Sequence, residues 1–203
     1  MEIYTKDCSP TELYKLMSGT VVPRPIALVS TKSAEGIYNV APFSFFNVIH
    51  PPMVMFSVGN RKGNRKKDTV LNIEQHSEFV INLVNAEMAQ QVHNAGSEYL
   101  PEISEFEEVG FTPATAKVID GIAVKEAPIK MECKLDRIIQ VKDSNMVLAE
   151  VVHFDIDDTI YQGNFKIDFE KLNPVGRLAG NMYTNIKPYS LKRTYNPDKV
   201  LKS

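Results

Sequence analysis

Residues 60–67, Asn-Arg-Lys-Gly-Asn-Arg-Lys-Lys, carry five positive charges and run straight into Asp68-Thr69-Val70-Leu71-Asn72-Ile73. A helix that opens at this point leaves its first backbone N–H groups without partners. Together with the Thr69 hydroxyl and a neighbouring Lys or Arg, they form a cradle for a phosphate. The same run is compatible with a solvated loop, a nuclear-import-like segment or a nucleic-acid patch. A net charge of −2 and the lack of aromatics within the run oppose the last of these.

Two upstream segments could complete a ligand site. Pro23 and Pro25 fix their own φ and bias Val22 and Arg24 toward extended backbone, so Arg24 is held stiffly before a strand, able to grip a phosphate or a ring carbonyl through paired donors. An ordinary surface arginine between two turn prolines fits the same residues. In Asn39–Asn47, Pro42 excludes helix, and Ser44 and Asn47 interleave with Phe43, Phe45 and Phe46. One side can pack while the other offers hydrogen bonds, as a flat heteroaromatic ring with a polar edge requires. A core strand with two satisfied polar residues gives the same pattern.

The elements that would position these groups are mostly strands. Ile26–Ser30, Val54–Val58 and Phe79–Val84 are short, rich in β-branched or aromatic residues and bounded by Pro, Gly or charge clusters. Ile129–Val141 and Met146–Phe154 flank Lys142-Asp143-Ser144-Asn145, which predicts a hairpin. Helices are predicted over Thr69–Gln75 and Glu87–Asn94. A third runs from Ser104-Glu105-Phe106-Glu107, a capping-box pattern, to a stop at Gly110, and a weaker start lies at Asp168. Strands do not alternate with long helices, so a mainly β, closed antiparallel barrel with a few peripheral helices is expected, rather than a doubly wound sheet. The 203 residues and 43% apolar content suit a single domain, with 184–203 a polar tail, loose or partner-binding.

Other chemistries lack their motifs. No Gly-x-Gly-x-x-Gly or Gly-x-x-x-x-Gly-Lys-Ser/Thr is present, so a nicotinamide nucleotide would have to dock on another cofactor. His50, His76, His93 and His153 lack metal-site spacing, and Ser57 lies outside a Gly-x-Ser-x-Gly elbow. The scattered carboxylates include Glu132 and Glu150 within strands. Only Cys8 and Cys133 are available, far apart, so no disulfide framework or Cys-x-x-Cys motif is built. No apolar window reaches signal-peptide or membrane-span length, and a soluble, cytoplasmic protein with reduced cysteines is expected.

Taken together, Pro23-Arg24-Pro25-Ile26-Ala27, Ser30-Thr31, Asn39 to Asn47, Lys67-Asp68-Thr69 and Gly176-Arg177-Leu178-Ala179-Gly180 resemble the flavin reductase-like, FMN-binding split-barrel family, its flavoredoxin-type branch above all. Order and spacing match across residues 15–183. The resemblance implies a Greek-key split β-barrel that forms a homodimer, with one FMN per subunit near the interface. It implies that Arg65, Lys67 and Thr69, helped by Ser57, grip the phosphate. Ser30 and Thr31, with Ser44, Phe45, Phe46 and Asn47, would line the isoalloxazine and ribityl chain, and Arg24 and Pro25 would neighbour the ring. Arg177 would support either the site or the fold, with Tyr99 and Tyr183 as weaker candidates for covering the flavin. Many members carry Trp where this chain has Leu28, and this chain has no Trp at all.

The implied activity is NAD(P)H-dependent flavin reduction, in which the nicotinamide stacks on the flavin and passes hydride to its N5. An electron-transfer flavoprotein served by a protein donor is the second reading. A flavin store or sensor and a pyridoxamine-phosphate oxidase are more distant ones.

Overall fold

The computed structural model describes residues 1–194; the last part of the expected tail, 195–203, lies outside the described residues. Its elements in chain order are α1 (Pro10–Thr20), β1 (Ala27–Lys32), β2 (Tyr38–Phe43), β3 (Phe46–His50), β4 (Met53–Gly59), α2 (Asp68–His76), β5 (Glu78–Leu83), α3 (Ala89–Asn94) and α4 (Glu105–Val109). They continue with β6 (Pro113–Thr115), β7 (Ile122–Val124), β8 (Ile129–Val141), β9 (Ser144–Ile156), α5 (Phe169–Leu172), β10 (Val175–Arg177) and β11 (Tyr183–Asn185). Among these residues, no helix is long and apolar enough to cross a membrane.

Seven strands form one sheet in the order β2-β1-β5-β8-β9-β4-β3, with every pairing antiparallel. The two outermost strands, β2 and β3, are joined by only Ser44 and Phe45. So short a link forces the two edges together, and the sheet curls into a barrel that stays split between them. The Ser57 amide donates to the Phe45 carbonyl at 2.9 Å across this closure. Phe43, Phe56 and Phe79 meet inside, with ring centroids 5.4 and 5.7 Å apart.

Period-2 alternation decides what each strand shows. In β4, Val54, Phe56 and Val58 point into the barrel core, which leaves Met55 and Ser57 facing outward. In β1 both faces are buried: Ala27 and Val29 point into the barrel, while Leu28 packs outside it with Val84, Met88, Val92 and Phe106 of a second core carried by α3 and α4. Where many members of the resembled family place Trp, Leu28 is therefore core. Cys133 is buried as well, and burial pushes its thiol up to about 12.

Two helix starts differ from expectation. Ser9-Pro10-Thr11-Glu12 builds a full capping box with Pro at N1, and α1 follows from it. At Ser104 the side chain caps nothing, although Gly110 ends α4 at φ +74° as predicted. Its neighbour Glu105 turns inward instead and accepts the Val40 amide at 2.8 Å. The tail boundary also moves, because Thr184 pairs with Gly176 within the β10–β11 hairpin.

That hairpin is fastened to the segment before β1. The Arg24 amide donates to the Arg177 carbonyl at 3.0 Å, and the Arg177 amide returns a bond to Arg24 at 2.9 Å. Gly176 lies so close to Pro23 that a Cβ would come within 2.6 Å of the proline Cβ. The glycine permits the approach by its lack of a side chain.

Candidate functional site

One cleft runs along the outside of β2, from the start of α2 to the β10–β11 hairpin. Its two larger lobes measure about 410 and 420 Å³ and share Tyr14, Pro42 and Ser44. A small lobe at the α2 end is lined by Asn39, Lys67, Asp68, Thr69 and Glu105. The volumes suit a small organic ligand.

The α2 end is built for an anion. Lys67 stands at the N-cap with extended backbone and makes no capping bond, and no side chain among the described residues accepts the Asp68 or Thr69 amides. The helix therefore offers free N–H groups at its positive end. Asp68, whose charge would oppose an anion, is held by a two-point fork from Arg61 at 3.1 and 2.8 Å. That bond raises the Arg61 pKa and commits its guanidinium to Asp68. Lys67 lines both the small lobe and the adjoining larger one, and Ser57 enters the latter from β4. Arg65 is exposed in the loop, its Nε toward the Lys62 carbonyl at 3.4 Å.

In the middle, Pro42 and Phe45 form an apolar wall, and the Ser44 hydroxyl accepts from Arg24 Nε at 3.2 Å. Tyr14 of α1 faces Phe45 with centroids 6.4 Å apart. At the far end stand Ser18, His93, Arg177, Leu178, Gly180 and Tyr183. Arg177 lies 4.5 Å over the Tyr183 ring, whose hydroxyl is 3.2 Å from His93 Nδ1.

Of the residues singled out from sequence, the cleft gathers Arg24, Ser44, Phe45, Ser57, Lys67, Thr69 and Arg177, whereas Arg65 is exposed in the loop before α2 and lines none of its lobes. Ser30 and Thr31 do not reach it. Ser30 is fully buried, donates to the Ile122 carbonyl and accepts from Asn82 Nδ2 at 2.9 Å; Thr31 accepts from Asn72 Nδ2 at 3.0 Å beneath α2. They sit on a strand covered on both sides, so their hydroxyls serve packing. Pro25 is exposed away from the cleft, Phe46 packs on the barrel core, and Asn47 is exposed on β3, its Oδ1 accepting the Val48 amide at 2.8 Å. Tyr99 likewise stays out, bonding the Asn94 carbonyl at 3.3 Å, whereas Tyr183 lines the cleft.

Arg24 fills a different role from the expected ligand grip. It is 6% exposed, and its guanidinium donates to the carbonyls of Ser18, Val21 and Leu178 as well as to Ser44. Those bonds tie the end of α1, the β2–β3 link and the chain after β10 into one wall. Sequence reasoning missed Tyr14 and Ser18, which the Ser9–Glu12 capping box could have indicated by announcing α1. His93 and Glu98 arrive by tertiary contact and leave no local signal, while Asn39 and Glu105 lie in segments read for other reasons.

A family model described as flavin reductase like domain matches residues 17–169. An uncharacterized protein of Aquifex aeolicus is 44% identical over 185 residues, spanning 90% of this chain and 94% of that protein. Among solved structures, nitrilotriacetate monooxygenase component B from Bacillus cereus superposes with a TM-score of 0.89 at 32% identity, covering 94% of this chain and 98% of that one. The 2-nitrobenzoate 2-nitroreductase NbaA of Pseudomonas fluorescens gives a TM-score of 0.87 at 32% identity, covering 100% and 99%.

Proposed function

Because the chain belongs to the flavin reductase-like family, we propose that it is an FMN-dependent, NAD(P)H-using flavin oxidoreductase. The observation that carries this reading is the pairing within one cleft of an uncapped helix N-terminus beside Lys67 with an apolar wall of Pro42 and Phe45. The first suits a phosphate and the second a flat ring, at opposite ends of one flavin nucleotide.

Lys67, Thr69 and the first amides of α2 would hold the phosphate, with Ser57 beside them and Arg65 in the loop before α2. Phe45 and Pro42 would exclude water from one side of the ring, and the Ser44 hydroxyl, fixed by Arg24, would orient it. Arg177 would place positive charge at the far end, where it favours an anionic reduced ring. The two-electron chemistry, hydride uptake from NADH or NADPH and its release to an acceptor, belongs to the bound FMN.

A second copy of the chain is the partner we assign. The outer strand β3, which follows the cleft residue Phe45 in the chain, exposes Val48 and Ile49 at 58% and 55%. Such apolar edge residues are suited to burial in an interface. Sedimentation at twice the mass of one chain is expected, and a monomer at micromolar concentration would refute the assignment. The reading places the protein in the cytoplasm, where NAD(P)H is available.

Anaerobic mixing tests the activity. FMN-loaded protein should bleach in the flavin band on adding NADH or NADPH within a few turnovers. A flavin that stays oxidised with both nucleotides but is reduced by a ferredoxin-like donor would replace the reductase with an electron carrier.

A further inference from the structure

A further cavity shares no residue with the flavin cleft. It measures about 830 Å³, twice either large lobe, and opens at one end of the barrel, where Met131 pairs with Phe154 and Ile129 with Ile156. Directly opposed residues of antiparallel strands share a face of the sheet. Phe154 therefore lies on the core side of β9 with the buried Met131, yet it is 54% exposed. This end of the barrel is left uncovered.

Beside the opening stands an aromatic side chain that the subunit itself does not use. Phe165, in the loop between β9 and α5, is 97% exposed at the cavity rim. Its backbone is left-handed at φ +58°, after Gly163 at +82° and Asn164 at +48°. For a bulky residue that conformation is costly, and it persists only where the surroundings impose it. Here the loop imposes it. The Phe165 amide donates to the Tyr161 hydroxyl at 3.1 Å, the Gln162 amide to the Lys166 carbonyl at 3.0 Å and the Lys166 amide to the Gly163 carbonyl at 3.1 Å. A braced turn thus holds a bare phenyl ring in water.

We infer that Phe165 is a docking knob and the barrel-end cavity its socket, each socket receiving the Phe165 of a second copy of this chain. A knob beside its own socket makes a self-complementary patch, which one two-fold axis satisfies. The area is adequate. Phe165, Phe154 and Tyr161, the last 40% exposed, leave nearly two aromatic side chains bare, roughly 300–500 Å² per subunit. Two such patches with their aliphatic lining reach the ~1,000 Å² at which specific interfaces begin. Charge agrees as well. Lys166 beside the knob and Asp158 at the socket each lack an ion pair among the described residues, whereas Lys117 and Lys130 already hold Asp155 at 3.0 and 3.5 Å. Across the axis, Lys166 meets Asp158 of the partner subunit. The surface also adjoins the β3 contact assigned above: the Val151 amide donates to the Pro52 carbonyl at 3.0 Å, and Phe154 follows about 10 Å along the strand. The inference rests on the homodimer reading and names its anchor.

Sedimentation of the full chain, with and without added FMN, tests this in the native protein and four variants. Phe165→Ala should raise the dimer dissociation constant at least about a hundredfold, because the anchor is lost from both halves of the contact. Phe165→Gly, which also relieves the left-handed backbone, should weaken the dimer equally while the urea midpoint of the dissociated chain stays level or rises. Lys166→Glu alone should weaken the dimer about tenfold by setting like charges together, and adding Asp158→Lys should recover most of that loss. A native dimer whose dissociation constant is unmoved by Phe165→Ala would overturn the inference and leave a dimer held through β3. A fall in the urea midpoint of Phe165→Gly with no change in dimerisation would overturn it too, making the ring a structural part of the subunit. A native monomer would overturn the homodimer reading and the inference together, and would leave the socket to an apolar ligand or a different protein.

Discussion

Replacing Lys67 and Thr69 together with alanine is expected to raise the Kd for FMN at least about a hundredfold while leaving riboflavin binding within about threefold. Each side chain would contribute one bond to a charged phosphate, worth about 1.5–3 kcal/mol, and about 3 kcal/mol together corresponds to the hundredfold change. The folding cost should be small by comparison. Lys67 is only partly buried and makes no ion pair among the described residues, whereas removing the Thr69 hydroxyl takes one hydrogen-bond partner from the Asn39 side-chain amide, costing about 1 kcal/mol. Thr69→Ser restores the hydroxyl and should recover most of the affinity contributed by that residue. Equal losses of FMN affinity and of folding stability would mark the α2 start as a structural feature.

Arg24→Ala should act in the opposite sense, on the fold first. The Arg24 guanidinium is shared among three carbonyls and the Ser44 hydroxyl. Deleting it strands acceptors on α1, on the chain after β10 and at the barrel closure. With each bond to a charged group worth about 1.5–3 kcal/mol, a loss of at least about 3 kcal/mol in urea unfolding is expected. Arg24→Lys should rescue little of this, because one ammonium cannot replace a planar fork that reaches divergent acceptors. FMN affinity should fall as well, since Ser44 loses its anchor. A variant of native stability that no longer holds FMN would instead make Arg24 a direct ligand contact.

Much of this architecture is written locally. Alternation in Val54, Phe56 and Val58 fixes which way Ser57 points, and the apolar runs around Lys142–Asn145 become the long β8–β9 hairpin. The order of the motifs from Arg24 to Arg177 brings most of the named residues into one cleft. Other positions depend on what covers a strand. Ser30 and Thr31 are expected at the ligand only through the family resemblance, yet β1 lies between the barrel core and a layer supplied by α3 and α4. The capping-box pattern at Ser104 is overridden by burial of Glu105, whose partner Val40 lies 65 residues away. A helix propensity cannot encode that contact. The Ser9–Glu12 box was legible in full, and it is the signal that would have brought Tyr14 and Ser18 to the cleft from sequence.

Equilibrium titration of flavin-free native protein with FMN and with riboflavin, side by side at pH 6.5, tests the central claim most directly. If the start of α2 holds the phosphate, FMN should bind at least about a hundredfold more tightly than riboflavin, and the difference should shrink as salt is raised. Equal affinities, or no binding of either flavin, would contradict the assignment of this cleft.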